Sequence, residues 1–381
     1  MTNARAVAVV AAVTVAVALY VFTQPRAHPL ADLKRGQYSD HASHVTAVRA
    51  FVSRGVVPWT TPLAGALPRL SEAAWQQRPA DFANVPRDGE LFDCGDGRPC
   101  SSNWSEHPRP YPPGSLLVAA PVAFASQLFE LGYQTTNRLF ICWLGLFVGV
   151  LAALLWRAHR HVEALLASLV VFVEAVHWSL NGFYDVVALT TVVLAVAAAR
   201  ERRDLHVVGW LSLGFFLHFR VVWFLPLGIA AAGRLVANRA WLRWSSREKL
   251  TALASLGAML SSGATLLVLA PALRTFPLHN PLAPSGWSGV HNGLVALAAV
   301  FVVICVHHRA WLDAAMGVWC VVLVMALQQA FPWHSLLLLP WLLLGPAGQP
   351  SLVVQGRWLL VVAISASIEN PLLPGWLGAL W

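Results

Sequence analysis

The chain has 381 residues, of which 57% are hydrophobic and only 12% charged, with a mean hydropathy of +0.60. That balance excludes an ordinary soluble enzyme and fits a polytopic membrane protein, most of whose solvent is lipid. The net charge of +8 comes from arginines clustered between apolar segments, as in cytoplasmic loops under the positive-inside bias, and no basic patch with interleaved aromatics points to nucleic acid. Eighteen tryptophans suit the membrane-interface belt, where an apolar ring with one polar N–H is well placed.

In chain order, residues 7–22 are apolar with Arg5 ahead of them. No small-residue cleavage site follows cleanly, so the segment reads as an uncleaved first transmembrane helix with its N-terminus in the cytoplasm. The polar stretch that follows, to residue 114, carries nine of the eighteen acidic residues and ten of the twenty-six basic ones. Its prolines, glycines and short apolar patches predict an external loop, 24–114, with short juxtamembrane helices. At its head, Tyr38-Ser39-Asp40-His41-Ala42-Ser43-His44 opens a helix with Val45, Val48, Phe51 and Val52 on one face and Gly55 as the stop, expected to lie on the membrane surface. Asp40 reads two ways, as an N-cap satisfying free amides of the first turn or as a catalytic base. Cys94 and Cys100 flank Gly95-Asp96-Gly97-Arg98-Pro99, a turn-rich ring that a disulfide would close in an oxidising compartment and that two free thiols would leave open. Tyr111-Pro112-Pro113-Gly114-Ser115 then starts the second helix, its prolines fixing an extended entry.

The remainder predicts helices over about 115–131, 139–156, 162–180, 186–199, 207–233, 250–273, 294–307, 310–330, 335–345 and 358–368, an all-α bundle of ten or eleven crossings with the first helix. Three arginine-rich stretches, Arg157/Arg160, Arg200/Arg202/Arg203 and 234–249, belong on the cytoplasmic side, but simple alternation does not put all three there. A broken pair of half-helices over 207–233, hinged near His218-Phe219-Arg220, would remove the conflict.

Ionisable groups at membrane depth cost about 2.5–3.5 kcal/mol on insertion scales, so they mark cavities or partners unless they snorkel to water. Here they are Glu174, His177 and Asp185 around a break at 178–184, His218 and Arg220 in mid-segment, and His334 after Phe331-Pro332-Trp333. Arg220 suits a lipid-linked phosphate, because guanidinium stays charged and offers a planar fork of donors. Asp40, His41, His44 and His107 include possible metal ligands, but neither HExxH nor paired-cysteine spacing supports a tight site.

Together these features resemble the membrane-embedded GT-C superfamily of glycosyltransferases. The resemblance rests on order: one N-terminal helix, Asp40 in Tyr38-Ser39-Asp40-His41 soon after it, then Tyr111-Pro112-Pro113, then Gly182-Phe183-Tyr184-Asp185 as a Gly-x-x-Asp element. A Gly-rich half-helix from Gly209 to Arg220 with Leu225-Pro226 after it completes the pattern. The departures are Asp-His where Asp-Glu or Asp-Asp is usual, Phe-Tyr in place of Gln-Tyr, and arginine in place of lysine. The resemblance implies a catalytic module over 1–235 with variable C-terminal helices over 236–381. It implies metal-independent inverting transfer of a sugar, mannose foremost, from a polyprenyl phosphate to a lipid, glycan or protein hydroxyl, outside a bacterial inner or plasma membrane. Asp40 would be the base, with His41, His44, Tyr111, Asp185, His218, Arg220 and His334 around the substrate and no cofactor. A flippase for a lipid-linked sugar and a non-catalytic membrane subunit are the competing readings.

Overall fold

A computed structural model describes residues 3–23, 40–76, 91–93, 99–101, 108–109, 111–158, 184–275, 288–308 and 318–319. These residues are mostly helical. Helix α1 is Asn3–Thr23; the polar segment then supplies α2 (Asp40–Arg54), α3 (Leu63–Ala66), α4 (Glu72–Gln76) and the strands β1 (Leu91–Asp93) and β2 (Pro99–Ser101). After it come α5 (Gly114–Leu128), α6 (Tyr133–Ala158), α7 (Asp185–Arg200), α8 (Asp204–Leu217), a 3-10 turn (Phe219–Phe224) and α9 (Leu225–Ala237). A second 3-10 turn (Ala240–Arg243), α10 (Ser246–Thr275) and α11 (Ser288–His308) follow. Three stretches, Ala4–Thr23, Thr135–Leu154 and Ser246–Ala270, are long and apolar enough to cross a membrane, since about twenty residues at ~1.5 Å each span the ~30 Å hydrocarbon layer. The segments expected at 162–180, 335–345 and 358–368, and all but two residues of 310–330, lie outside the described residues.

The antiparallel pair β1–β2, with Phe92 opposite Cys100, departs from an all-helical chain. Phe92 is fully buried against Ala50, Val56, Leu63 and Leu67, which fixes the hairpin to the far end of α2. That end is closed as the sequence predicts. Gly55 takes the left-handed conformation (φ 64°), and the amides of Gly55 and Val56 reach back to the carbonyls of Phe51 and Ala50. Half of the expected apolar stripe is what α2 buries, namely Val45 and Val48. Residues 43–48 are all buried, Ser43, His44 and Thr46 included, while Phe51 and Val52 face outward. The helix packs against α5 and α6.

Close approach between α1 and α6 depends on Gly145 and Gly149, four residues apart on one face of α6. A methyl at Gly149 would stand 2.8 Å from the carbonyl oxygen of Val10, and one at Gly145 would stand 3.2 Å from Val17. This is the small-residue packing that membrane helices use where no hydrophobic driving force draws them together. The pairs also give direction: α1 and α6 run antiparallel. Helices α6 and α7 run side by side in the same direction, since Phe140 and Tyr184 touch one imidazole while Thr190 bonds the Phe147 carbonyl at 3.5 Å. Gly214 packs on Thr191, so α8 returns antiparallel to α7.

The expected break lies at His218. Its backbone is extended (φ −156°, ψ 125°), ending α8, and its Nδ1 accepts the Arg220 amide at 3.1 Å to cap the 3-10 turn. Pro226, at the start of α9 where no amide is needed, turns the chain back. The resulting α8–α9 hairpin is closed at its open end by a buried pair, with Arg234 Nε 3.1 Å from both oxygens of Asp204. One end of the described bundle thus gathers Arg5, the Arg157 turn, Arg200, Arg202, Arg203 and Arg234; His44, Tyr184 and His218 stand at the other. A second apolar core unites Phe224, Leu227, Ala230 and Ala231 with Ala298, Val302 and Cys305 of α11, running across position 235.

Asp204→Asn should cost about 3–5 kcal/mol, because it strands a buried guanidinium, whereas replacing both partners (Asp204→Leu with Arg234→Met) should recover most of that. Thermal unfolding in detergent or lipid reads both. Equal loss in the single and the double variant would show that the pair does not close the hairpin.

Candidate functional site

The site is built from four stretches far apart in sequence. The first is α2, whose opening turns carry Asp40, His41 and His44. The second precedes α5: Arg109 lies between Pro108 and Pro110, which favour extended backbone, and its amide donates to the Pro58 carbonyl at 2.7 Å. The buried Arg109 guanidinium donates to the Ser43 carbonyl at 2.6 Å and to His44 Nδ1. It also lies 4.9 Å from the centre of the Tyr111 ring. These contacts offset the cost of taking the charge out of water; the ring face alone contributes ~2 kcal/mol when desolvated. Tyr111 is fixed in turn by Trp59, whose indole N–H donates to the Tyr111 carbonyl at 2.7 Å.

The third stretch is Tyr184, just ahead of α7, and the fourth is the α8 terminus. Gly114 brings α5 against it, since a methyl there would stand 2.5 Å from the Phe216 carbonyl. The rings then meet. His44 is 4.6 Å from Tyr111, 4.4 Å from Tyr184 and 5.9 Å from Phe140, centre to centre. Tyr184 stacks on His218 at 5.6 Å and 19°, and Tyr111 meets His218 edge-on at 5.5 Å. The Tyr184 hydroxyl donates to the Leu217 carbonyl at 3.4 Å. Burial pushes its phenol well above the ordinary tyrosine value, and the positive charge of Arg109 offsets only part of that.

Of the residues singled out from sequence, His44, Tyr111 and His218 converge here, and Arg220 stands at the start of the 3-10 turn, half-buried, with its amide on His218. Asp40 and His41 form the first turn of α2, with Asp40 one helical turn before His44, and Asp185 follows Tyr184 as the first residue of α7; the side chains of these three lie outside the described ones. Cys100 is described only through its place in β2, and Cys94 and His334 lie outside the described residues. Among the described residues no three His, Cys, Asp or Glu side chains gather as metal ligands would. Sequence reasoning missed Arg109, Trp59 and Phe140, and took Tyr184 only as filler in a Gly-x-x-Asp element. The readable signal for Arg109 was a cation held between two prolines beside Tyr-Pro-Pro.

Because folded Tyr184 keeps its proton where an unfolded tyrosine loses one near pH ~10, stability should fall as pH rises past that value. An alkaline absorbance titration of the folded protein should give the same step for wild type and Tyr184→Phe. A step smaller by one tyrosine in the variant would contradict the burial. No family model, no curated protein and no solved structure matches this chain.

Proposed function

We propose that the protein is a membrane-embedded inverting glycosyltransferase that moves a sugar, mannose foremost, from a polyprenyl phosphate to an acceptor hydroxyl. The observation that carries this reading is the meeting of His44, Tyr111, Tyr184 and His218, because Tyr111, Tyr184 and His218 each belong to a segment on which the GT-C resemblance rests and His44 follows Asp40 by one turn of α2. Chance motif matches have no reason to converge in space. The arginines support an external site: under the positive-inside bias the end that gathers Arg5, Arg200, Arg202, Arg203 and Arg234 would be cytoplasmic and the ring cluster would lie at the external end. An external site has no nucleotide sugars at hand, which fits a lipid-linked donor.

In the reaction the acceptor oxygen bonds to the anomeric carbon as the bond from that carbon to the phosphate oxygen breaks. The electron pair leaves with the polyprenyl phosphate, and the acceptor proton passes to the Asp40 carboxylate. Arg220 balances the charge growing on the leaving phosphate. His41, His44, Tyr111, Asp185 and His218 surround donor and acceptor, and no divalent metal takes part. The runner-up is a flippase for a lipid-linked sugar, favoured by one observation, the broken α8–α9 hairpin of a kind that transporters use around their substrates.

The test is a transfer assay on the full chain in lipid, with radiolabelled polyprenyl-phosphate sugars and membrane extract as acceptor. Asp40→Asn should lower transfer about 10²–10⁴-fold, the usual share of a general base, and EDTA should leave the wild type unchanged. Near-normal transfer by the variant would remove Asp40 from its role. Movement of unchanged donor across the bilayer, with none consumed, would favour the flippase.

A further inference from the structure

Two imidazoles stand in the ring cluster, and each has one nitrogen already engaged by a donor that has no acceptor capacity. The guanidinium of Arg109 is directed at Nδ1 of His44, and a guanidinium offers only N–H groups and stays charged throughout the accessible pH range. The backbone amide of Arg220 is directed at Nδ1 of His218 at 3.1 Å. An imidazole nitrogen that accepts a hydrogen bond carries no proton, so the single proton of the neutral ring sits on the other nitrogen. A second proton would have to enter at Nδ1, against the donor already there. His44 also lies fully buried beside that fixed positive charge, with Tyr111, Phe140 and Tyr184 as its ring neighbours.

We infer that Arg109 is a positioning residue that holds His44 neutral with its proton on Nε2, and that the Arg220 amide sets the same tautomer on His218, so that both histidines are hydrogen-bond donors and neither is a base. The ligand chemistry that such a pair recognises is oxygen with lone pairs and no proton to give, a phosphoryl oxygen or the acceptor face of a sugar hydroxyl. Its use on a glycosyl phosphate rests on the function proposed above, where it leaves proton abstraction to a carboxylate. The tautomers themselves rest only on the two hydrogen bonds. Arg109 further ties the chain ahead of α5 to α2 through the Ser43 carbonyl, so one side chain both joins the two segments and fixes the state of the ring between them.

The experiment is nitrogen NMR of the full chain, labelled with 15N-histidine and held in lipid nanodiscs at neutral pH, with His44→Gln and His218→Gln identifying the two rings by loss of signal. Both rings should give a protonated Nε2 and an unprotonated Nδ1. In Arg109→Met, which has no donor to offer, the His44 signals should move towards the mixture of tautomers of a free imidazole, while those of His218 stay in place; Arg109→Lys, which keeps a donor there, should restore part of the wild-type pattern. A protonated Nδ1 on His44 in the wild type, or unchanged His44 signals in Arg109→Met, would overturn the inference. Should Arg109→Met fail to fold, the wild-type spectrum and Arg109→Lys still decide it. The spectra report the tautomers whether or not any sugar is transferred, so failure of this assignment and failure of the glycosyltransferase reading are separately visible.

Discussion

A chain that interrupts a helix within an apolar bundle has to satisfy the backbone groups it exposes, and here that requirement falls on His218. Its extended backbone ends α8, and its imidazole takes up the Arg220 amide of the turn that follows. Proline at the start of α9 needs no partner for the amide it lacks. With the break satisfied in this way, α8 and α9 can fold into a hairpin, and Asp204 can reach Arg234 at the other end. The pair of half-helices then brings the chain back to the side from which it came. That return is what puts Arg234 at the same end of the described bundle as Arg200 and the last turn of α6.

The same residue joins fold to site. Because His218 caps a turn, its ring is held at a fixed angle, and Tyr184 can stack on it while Tyr111 meets both edge-on. Glycine at 114 admits the start of α5 against the α8 terminus, which sets Tyr111 at that distance. Arg109 completes the arrangement from the loop side, bonding α2 and covering Tyr111. A buried charge of this kind costs stability unless its donors are satisfied, and here the Ser43 carbonyl and His44 Nδ1 take two of them.

Much of the architecture could be read from the sequence, because it depends on patterns that are local. Long apolar runs marked α1, α6 and α10, with α6 starting six residues earlier than expected, Gly55 ended α2, and His218-Phe219-Arg220 with Leu225-Pro226 marked the break. The errors have a common cause. The face of α2 was assigned by hydrophobicity alone, yet Ser43, His44 and Thr46 are buried as well, His44 among rings and against Arg109, which no periodicity reveals. Arg109 was invisible for the same reason, since its meaning lies in residues about sixty-five positions away. The pairing of α1 with α6 through Gly145 and Gly149 was likewise written in two glycines whose partner helix the sequence did not name.

The account stands on the claim that the ring cluster is where a lipid-linked sugar binds. The most direct test is photo-crosslinking of the full chain in lipid with a polyprenyl-phosphate sugar that carries a diazirine on its phosphate-proximal isoprene, followed by peptide mapping. Label on α2 and on the turn Phe219–Phe224, competed away by unlabelled donor, is the result predicted. Competed label confined to the arginine end, at the turn Ala240–Arg243 and the start of α10, would contradict the claim.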